Sequence, residues 1–269
     1  MGDERSKRIP IDSMEKCREL RNALGDLSPS EALYCSDACL KRYLRARNGN
    51  ISQAKAMLRE TLQWRSSYKP GSIRWEDVAE EFKTGKMFRA CFTDKLGRPV
   101  IVMIPRNQNT RTHEGQVKQL VYSMENALSY LPPDQDQLAW IIDFEGFSYF
   151  NNPPLKTTKE VAHILQSHYP ERLAVGIVLN APKIFEYTLK LWKPFIDLTT
   201  YKKIRFVYTR DPSSLKAVED VFDLKTLDLN FKGKYDHAEY ARLMKADEMR
   251  IKSFCENASS NFEYRMNGQ

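Results

Sequence analysis

Four histidines, His113, His163, His168 and His237, could carry protons near neutral pH, but they are scattered along the chain and read as surface or packing residues. A nucleophile would need a Gly-x-Ser-x-Gly elbow or a Cys with a matched His, and the sequence offers neither. Without a P-loop or a Gly-x-Gly-x-x-Gly turn, nucleotide chemistry lacks its phosphate cradle. Asp143 and Glu145 come nearest to a carboxylate pair; two apart at a strand end they share a face, with no partner in the pattern to shift a pKa. Cys35 and Cys39 lie four apart on a predicted helix, yet no second Cys or His pair completes a four-ligand zinc site. The five cysteines, odd in number and widely spread, read as reduced thiols. No catalytic residue, metal or cofactor is expected, and the chain reads as a binding protein rather than an enzyme.

A binding protein must still show a surface, and the most unusual one lies between two strands. Ala174 to Leu179 is a short, mostly apolar run of the kind buried on both faces of a sheet, and Ile204 to Tyr208 is a second strand candidate. Between them, from Pro182 to Phe195, a helix carries Ile184, Tyr187, Leu191, Trp192 and Phe195, with Phe185, Leu189 and Ile196 widening the stripe. A helix apolar over most of its circumference must be covered by its own protein, by lipid or by an apolar ligand. Periodicity does not separate a core crossover helix from a lid over a cavity. If the helix is such a lid, Phe185 and Leu189, which lie off the stripe of Ile184, Tyr187, Leu191 and Phe195 that a core would use, are the positions expected to face lipid or membrane.

The remaining chain reads as two kinds of structure. Residues 13 to 67 form short helices: Ser13 to Leu24 ended by Gly25, a cap at Ser28-Pro29-Ser30-Glu31, then Ser36 to Arg47 and Ile51 to Tyr68 separated by the Asn48-Gly49-Asn50 turn. From about Met87 strands alternate with helices. Phe88 to Phe92 and Pro99 to Ile104 make a hairpin around Asp94 to Arg98, followed by a helix over Gly115 to Leu131, a strand over Leu138 to Phe144 and a helix over Thr157 to His168. That alternation predicts an α/β domain with a mixed, mostly parallel sheet and right-handed crossovers. The expected organisation is a helical subdomain over 1–80, the sheet domain over 81–235, and a helix with a polar, frayed tail over 236–269.

Of the 269 residues, 42% are hydrophobic and 29% charged, an ordinary soluble profile with no apolar run of the length a spanning helix needs. The first residues lack the apolar core of a signal peptide, so a cytoplasmic protein is expected. The net charge of +7 favours a phosphate-rich partner. No nucleic-acid module accompanies it, so an anionic membrane surface is the expected partner rather than nucleic acid.

Several stretches together carry a resemblance. Tyr169-Pro170-Glu171-Arg172-Leu173, Asn180-Ala181-Pro182, Phe185, Trp192-Lys193-Pro194-Phe195-Ile196-Asp197, Thr200 and Lys203-Ile204 occur in order and spacing. Upstream stand Leu40-Lys41-Arg42-Tyr43-Leu44-Arg45-Ala46-Arg47 and Trp64-Arg65, with Asp94-Lys95-Leu96-Gly97-Arg98-Pro99-Val100 and Asp143-Phe144-Glu145-Gly146 between. This set, over about residues 35 to 233, resembles the CRAL-TRIO lipid-binding domain of the yeast secretory phosphatidylinositol-transfer-protein type.

The resemblance implies a monomeric carrier that docks transiently on membranes and encloses phosphatidylinositol behind the gating helix. At the family's positions the phosphate ligands would be Arg47, Thr200 and Lys203, with Glu171 also tied to the site. A guanidinium grips two phosphate oxygens, a hydroxyl donates one bond and an ammonium adds charge. Asn48 stands where the family often carries a Lys. The residues implied to line the pocket or gate are Leu138, Trp140, Phe185, Leu189, Trp192 and Phe195. Leu138 and Trp140 occupy positions where members that also exchange phosphatidylcholine carry hydroxyls, so a different second hydrophobic ligand, such as a sterol or tocopherol-like isoprenoid, is expected. The alternative is a regulatory scaffold that presents phosphoinositide and transfers nothing.

Overall fold

The computed structural model describes residues 10–148, 150, 152–185, 198–224, 227 and 235–266, the side chains of 198–199 and 254–266 excepted. Contacts divide the chain into two units, Met1–Lys69 with Lys159–Arg172, and Pro70–Thr158 with Leu173–Gln269. Composition suggests a first boundary near residue 80; packing draws it after Lys69 and takes the later segment into the first unit.

The first unit is made by its helix caps and one apolar cluster. Helices α1 (Met14–Leu24), α2 (Pro29–Tyr34), α3 (Asp37–Ala46) and α4 (Ile51–Tyr68) begin at Ser13, Ser28, Ser36 and Asn50, whose side chains accept backbone N–H bonds of the first turn. At Ser28 the box closes, because the Ser28 backbone N–H donates to Glu31 Oε2 at 2.8 Å. Between α3 and α4, Asn48 and Gly49 turn with φ of 50° and 74°. A Cβ on Gly49 would stand 3.1 Å from the Ile11 Cβ, so close approach and backbone both require glycine. Cys17, Leu20 and Leu24 of α1 meet Leu40, Tyr43 and Leu44 of α3 and Ala54, Met57, Leu58 and Leu62 of α4 in one buried cluster. Cys35 and Cys39 lie in it as thiols, and burial raises both pKa values, that of Cys35 to about 12.

The second unit holds the sheet. Its strands are β1 (Met87–Thr93), β2 (Pro99–Met103), β3 (Leu138–Asp143), β4 (Leu173–Leu179) and β5 (Ile204–Val207), in spatial order β1-β2-β3-β4-β5. The β1–β2 hairpin is antiparallel and the other three pairings are parallel, as expected of a mixed, mostly parallel sheet. Helices α5 (Trp75–Phe82), α6 (His113–Leu128), α7 (Leu155–His168), α8 (Leu198–Lys203), α9 (Pro212–Glu219) and α10 (His237–Met266) are the further described α-helices, α7 starting in the second unit and ending in the first. No described helix is long and apolar enough to cross a membrane.

Three features depart from the sequence expectations. Helices α5 and α9 have no counterpart there; Trp75 of α5 packs on Tyr122 and Tyr240, contacts remote in sequence that a short segment's pattern does not reveal. The polar stretch Asn257 to Asn261, expected to fray, continues α10 to Met266. An earlier part of α10 is anchored from the sheet: Arg89 of β1 donates to Asp247 Oδ2 at 2.9 Å and to Asn126 Oδ1 at 2.8 Å, and Asn126 Nδ2 donates to the same Asp247 oxygen at 2.9 Å. With the Arg89 guanidinium also 3.9 Å above the Tyr130 ring, the buried charge pair has every neighbour it needs.

Candidate functional site

The two faces of the sheet are covered unequally. Pairing places Val100 and Val102 of β2, Ala139 and Ile141 of β3, Val175, Ile177 and Leu179 of β4, and Val207 of β5 on one face, and all are buried. On the other face the same register sets Met103 beside Ile142, Ile101 beside Trp140, Trp140 beside Gly176, Gly176 beside Ile204, and Val178 beside Phe206. There Met103, Trp140, Ile142, Ile204 and Phe206 are only half-buried. Glycine at 176 leaves room next to the indole: even a Cβ there would come no nearer than 3.9 Å to Ile204. These large apolar side chains, interspersed with the buried Ile101, Leu138 and Val178 of the same face, leave a partly covered apolar surface of the kind that suits an apolar ligand.

The C-terminal ends of the parallel strands, where open α/β sheets hold their ligands, are built around polar pins. Arg106 Nη1 donates to Asp143 Oδ2 at 2.6 Å and to the Glu145 carbonyl at 2.8 Å, while the Glu145 N–H donates to Asp143 Oδ1 at 3.0 Å. Asp143 thus has an ion-pair partner that the sequence pattern does not reveal, an arginine from the segment after β2. At the end of β4, Asn180 has φ of 50° and its Oδ1 accepts from the Thr209 backbone and hydroxyl at 3.0 Å each. Beside these pins Phe144, Phe147 and Phe185 form an edge-to-face trio, with Phe185 4.9 Å from Phe144 and 5.4 Å from Phe147.

The sequence-derived site residues fall as follows. Leu138 and Trp140 lie on the half-covered face, Leu138 fully buried and Trp140 half-buried within the apolar row. Phe185, expected off the buried stripe, is half-buried in the aromatic trio, whereas Ile184, placed on that stripe, is 52% exposed. The stripe is thus reversed at these two positions, where Phe144 and Phe147 pack edge-to-face on Phe185. Leu189, Trp192 and Phe195 lie outside the described residues. Thr200 and Lys203, three apart on α8 and so on one face of it, are both half-buried in the second unit. Arg47 and Glu171 belong to the first unit, Arg47 as the residue closing α3 and Glu171 in a left-handed turn with φ of 57°. Met103, Ile142, Ile204 and Phe206 were not expected at the site. Their period-two spacing is visible in the sequence, but only the strand register aligns them into one row. The histidines are not all scattered, since His163 and His168 stand with ring centroids 5.5 Å apart.

Comparison with known proteins gives the geometry its relatives. A CRAL/TRIO domain profile matches residues 83–233 and its N-terminal domain profile matches residues 15–60. A CRAL-TRIO domain-containing protein of Schizosaccharomyces pombe is 36% identical over 219 residues, 80% of this chain but 21% of that relative, so this chain spans about a fifth of its length. The phosphatidylinositol transfer protein PDR17 of Saccharomyces cerevisiae is 31% identical over 244 residues, covering 85% of this chain and 68% of that protein. SEC14 cytosolic factor of Candida glabrata is 30% identical over 205 residues, with 70% and 67% covered. Among solved structures, that of Sfh5 superposes with a TM-score of 0.57 at 22% identity, over 90% of this chain and 93% of that one, which is a likeness of fold.

Proposed function

The chain belongs to the CRAL/TRIO domain family, and from that premise we propose that it binds phosphatidylinositol on the half-covered face of its sheet and carries it between membranes. The observation that supports this reading most is the row of Met103, Trp140, Ile142, Ile204 and Phe206, half-buried opposite a sealed face. Acyl chains contribute about 0.8 kcal/mol per buried CH₂, so a lipid with two chains of about sixteen carbons forfeits on the order of 25 kcal/mol if it leaves a bilayer unprotected. Near-complete enclosure makes extraction feasible, and an apolar wall of this kind provides part of it. Two relatives whose names record phosphatidylinositol transfer or a cytosolic factor cover most of this chain, which favours the carrier reading.

In this reading Thr200 and Lys203 contact the headgroup phosphate, and Arg47 and Glu171 are the further headgroup residues that the resemblance implies. The segment beginning at Pro182 is the gate, Leu138 and Trp140 shape the pocket for a second hydrophobic ligand in place of phosphatidylcholine, and the protein acts as a cytoplasmic monomer docking on anionic membranes without catalysis. A liposome assay with labelled phosphatidylinositol tests it. Wild type should move lipid to acceptor vesicles, and Lys203→Ala or Arg47→Ala should weaken loading about ten- to a hundred-fold, the worth of one charge-assisted hydrogen bond of roughly 1.5 to 3 kcal/mol. Tight binding without net transfer would favour the presenting scaffold instead; undiminished loading in both variants would remove these residues from the site.

A further inference from the structure

The first unit gathers three side chains that the lipid reading does not use. Glu60 on α4, with His163 and His168 on α7, each present a ligand atom, and the three atoms lie within 4.8 Å of one another. His163 Nε2 stands 3.6 Å from Glu60 Oε1. Adjacent ligands of a tetrahedral zinc with bonds near 2.1 Å are about 3.4 Å apart, so that pair needs almost no adjustment.

The atoms behind the rings favour the form a metal takes. Thr61 Oγ donates its one proton to the Ser167 carbonyl at 3.0 Å. At 3.1 Å from His168 Nδ1 that oxygen can then only accept, so the His168 proton sits on Nδ1 and the lone pair on Nε2. Trp64 lies flat against the same ring, 4.3 Å between centroids at 12°, and fixes its plane. His163 Nδ1 is likewise 3.2 Å from Ser167 Oγ, leaving Nε2 toward Glu60. A hydrogen-bond partner on one ring nitrogen is what orients a histidine metal ligand, and here hydroxyl oxygens take that place. His163 and Glu60 are 57% and 53% exposed, so an ion can enter from solvent and keep water in the remaining position.

We propose that Glu60, His163 and His168 bind a divalent late transition metal, zinc foremost, at the surface of the first unit, joining α4 to the end of α7. Two imidazoles with one carboxylate suit zinc and its neighbours, whereas magnesium and calcium prefer all-oxygen shells. The departure from the sequence expectation is understandable. His163 and His168 are five apart, outside the i,i+4 pattern that marks two histidines on one helix face, so their spacing carries no zinc signature.

The test uses tag-free, chelator-treated full-length protein in a Cys91→Ser background, which removes an exposed thiol as competing ligand. Titration with zinc by calorimetry, and with cobalt followed by its visible absorption, should show saturable binding of one ion per chain and a raised melting temperature. Glu60→Gln and His163→Gln, at exposed positions that leave the fold intact, should each weaken zinc binding at least tenfold and abolish the melting shift. Absence of one-to-one binding in the parent protein, or undiminished affinity in either variant, overturns the assignment.

Discussion

The two faces of the sheet are made from the same strands and nearly the same residue types, yet their apolar side chains are covered unequally. Val100, Ile141, Ile177 and Val207 are wholly buried, while Met103, Trp140, Ile142, Ile204 and Phe206, on the opposite face of β2, β3 and β5, keep part of their surface open. Folding alone would favour burying both rows, since each square ångström of apolar surface left open forgoes about 25 cal/mol. The difference separates stability from the proposed function: the more fully covered face holds the domain together, and in that reading the other face is where lipid binds.

The largest expected effect breaks the sheet on its sealed side. Ile141→Ala removes a fully buried side chain and should lower unfolding free energy by about 2–5 kcal/mol in urea titrations. Phe206→Ala, on the open face, should cost stability less than that while reducing phosphatidylinositol loading more than Ile141→Ala does at equal folded fraction. Equal stability losses, with loading unaffected by Phe206→Ala, would erase the distinction between the faces.

A second comparison lies where the candidate gate leaves the sheet. Phe185→Glu forces a charge among Phe144 and Phe147 and should destabilise the protein by roughly 1–3 kcal/mol and slow transfer. Ile184→Glu, at a 52% exposed position, should change stability by less than about 0.5 kcal/mol. Thermal melts of the two variants side by side decide it, and the opposite ranking would restore the stripe expected from the sequence.

Covered and open surface also differ toward protons. Burial, reinforced by His163 and Arg65, pushes His168 down to about 4, while the unfolded chain titrates near the ordinary 6.5. Below about pH 6.5 the unfolded state takes up a proton that the folded state refuses, so this contribution is complete above that pH and is lost between 6.5 and 4. Metal-free protein should therefore lose about 1 kcal/mol between pH 7 and 5.5 by urea titration. His168→Gln should flatten that slope.

What the sequence discloses and what it hides follow the same division. Ser13, Ser28 with Glu31, Ser36 and Asn50 mark the helix starts because a cap is local chemistry, complete within four residues. The sheet strands are legible as apolar runs, and the resemblance supplies their fold. Which face stays open is not legible: a strand such as Leu173–Leu179 is apolar at nearly every position, so period-two alternation carries no sign of the covered side. Trp140 and Phe206 become one surface only when β3, β4 and β5 are set in register. Helix α5 and the full length of α10 escape notice for a related reason, since contacts such as Arg89 with Asp247 bridge 158 positions in the chain.

The central claim is that the open face touches lipid, and Trp140 reports it directly. Vesicles containing phosphatidylinositol with brominated acyl chains should quench the intrinsic fluorescence of the wild-type protein on loading, and Trp140→Phe should remove a distinct part of that quenching while lipid still binds. Identical quenching in the two proteins, with lipid loaded in both, would contradict a ligand on this face of the sheet.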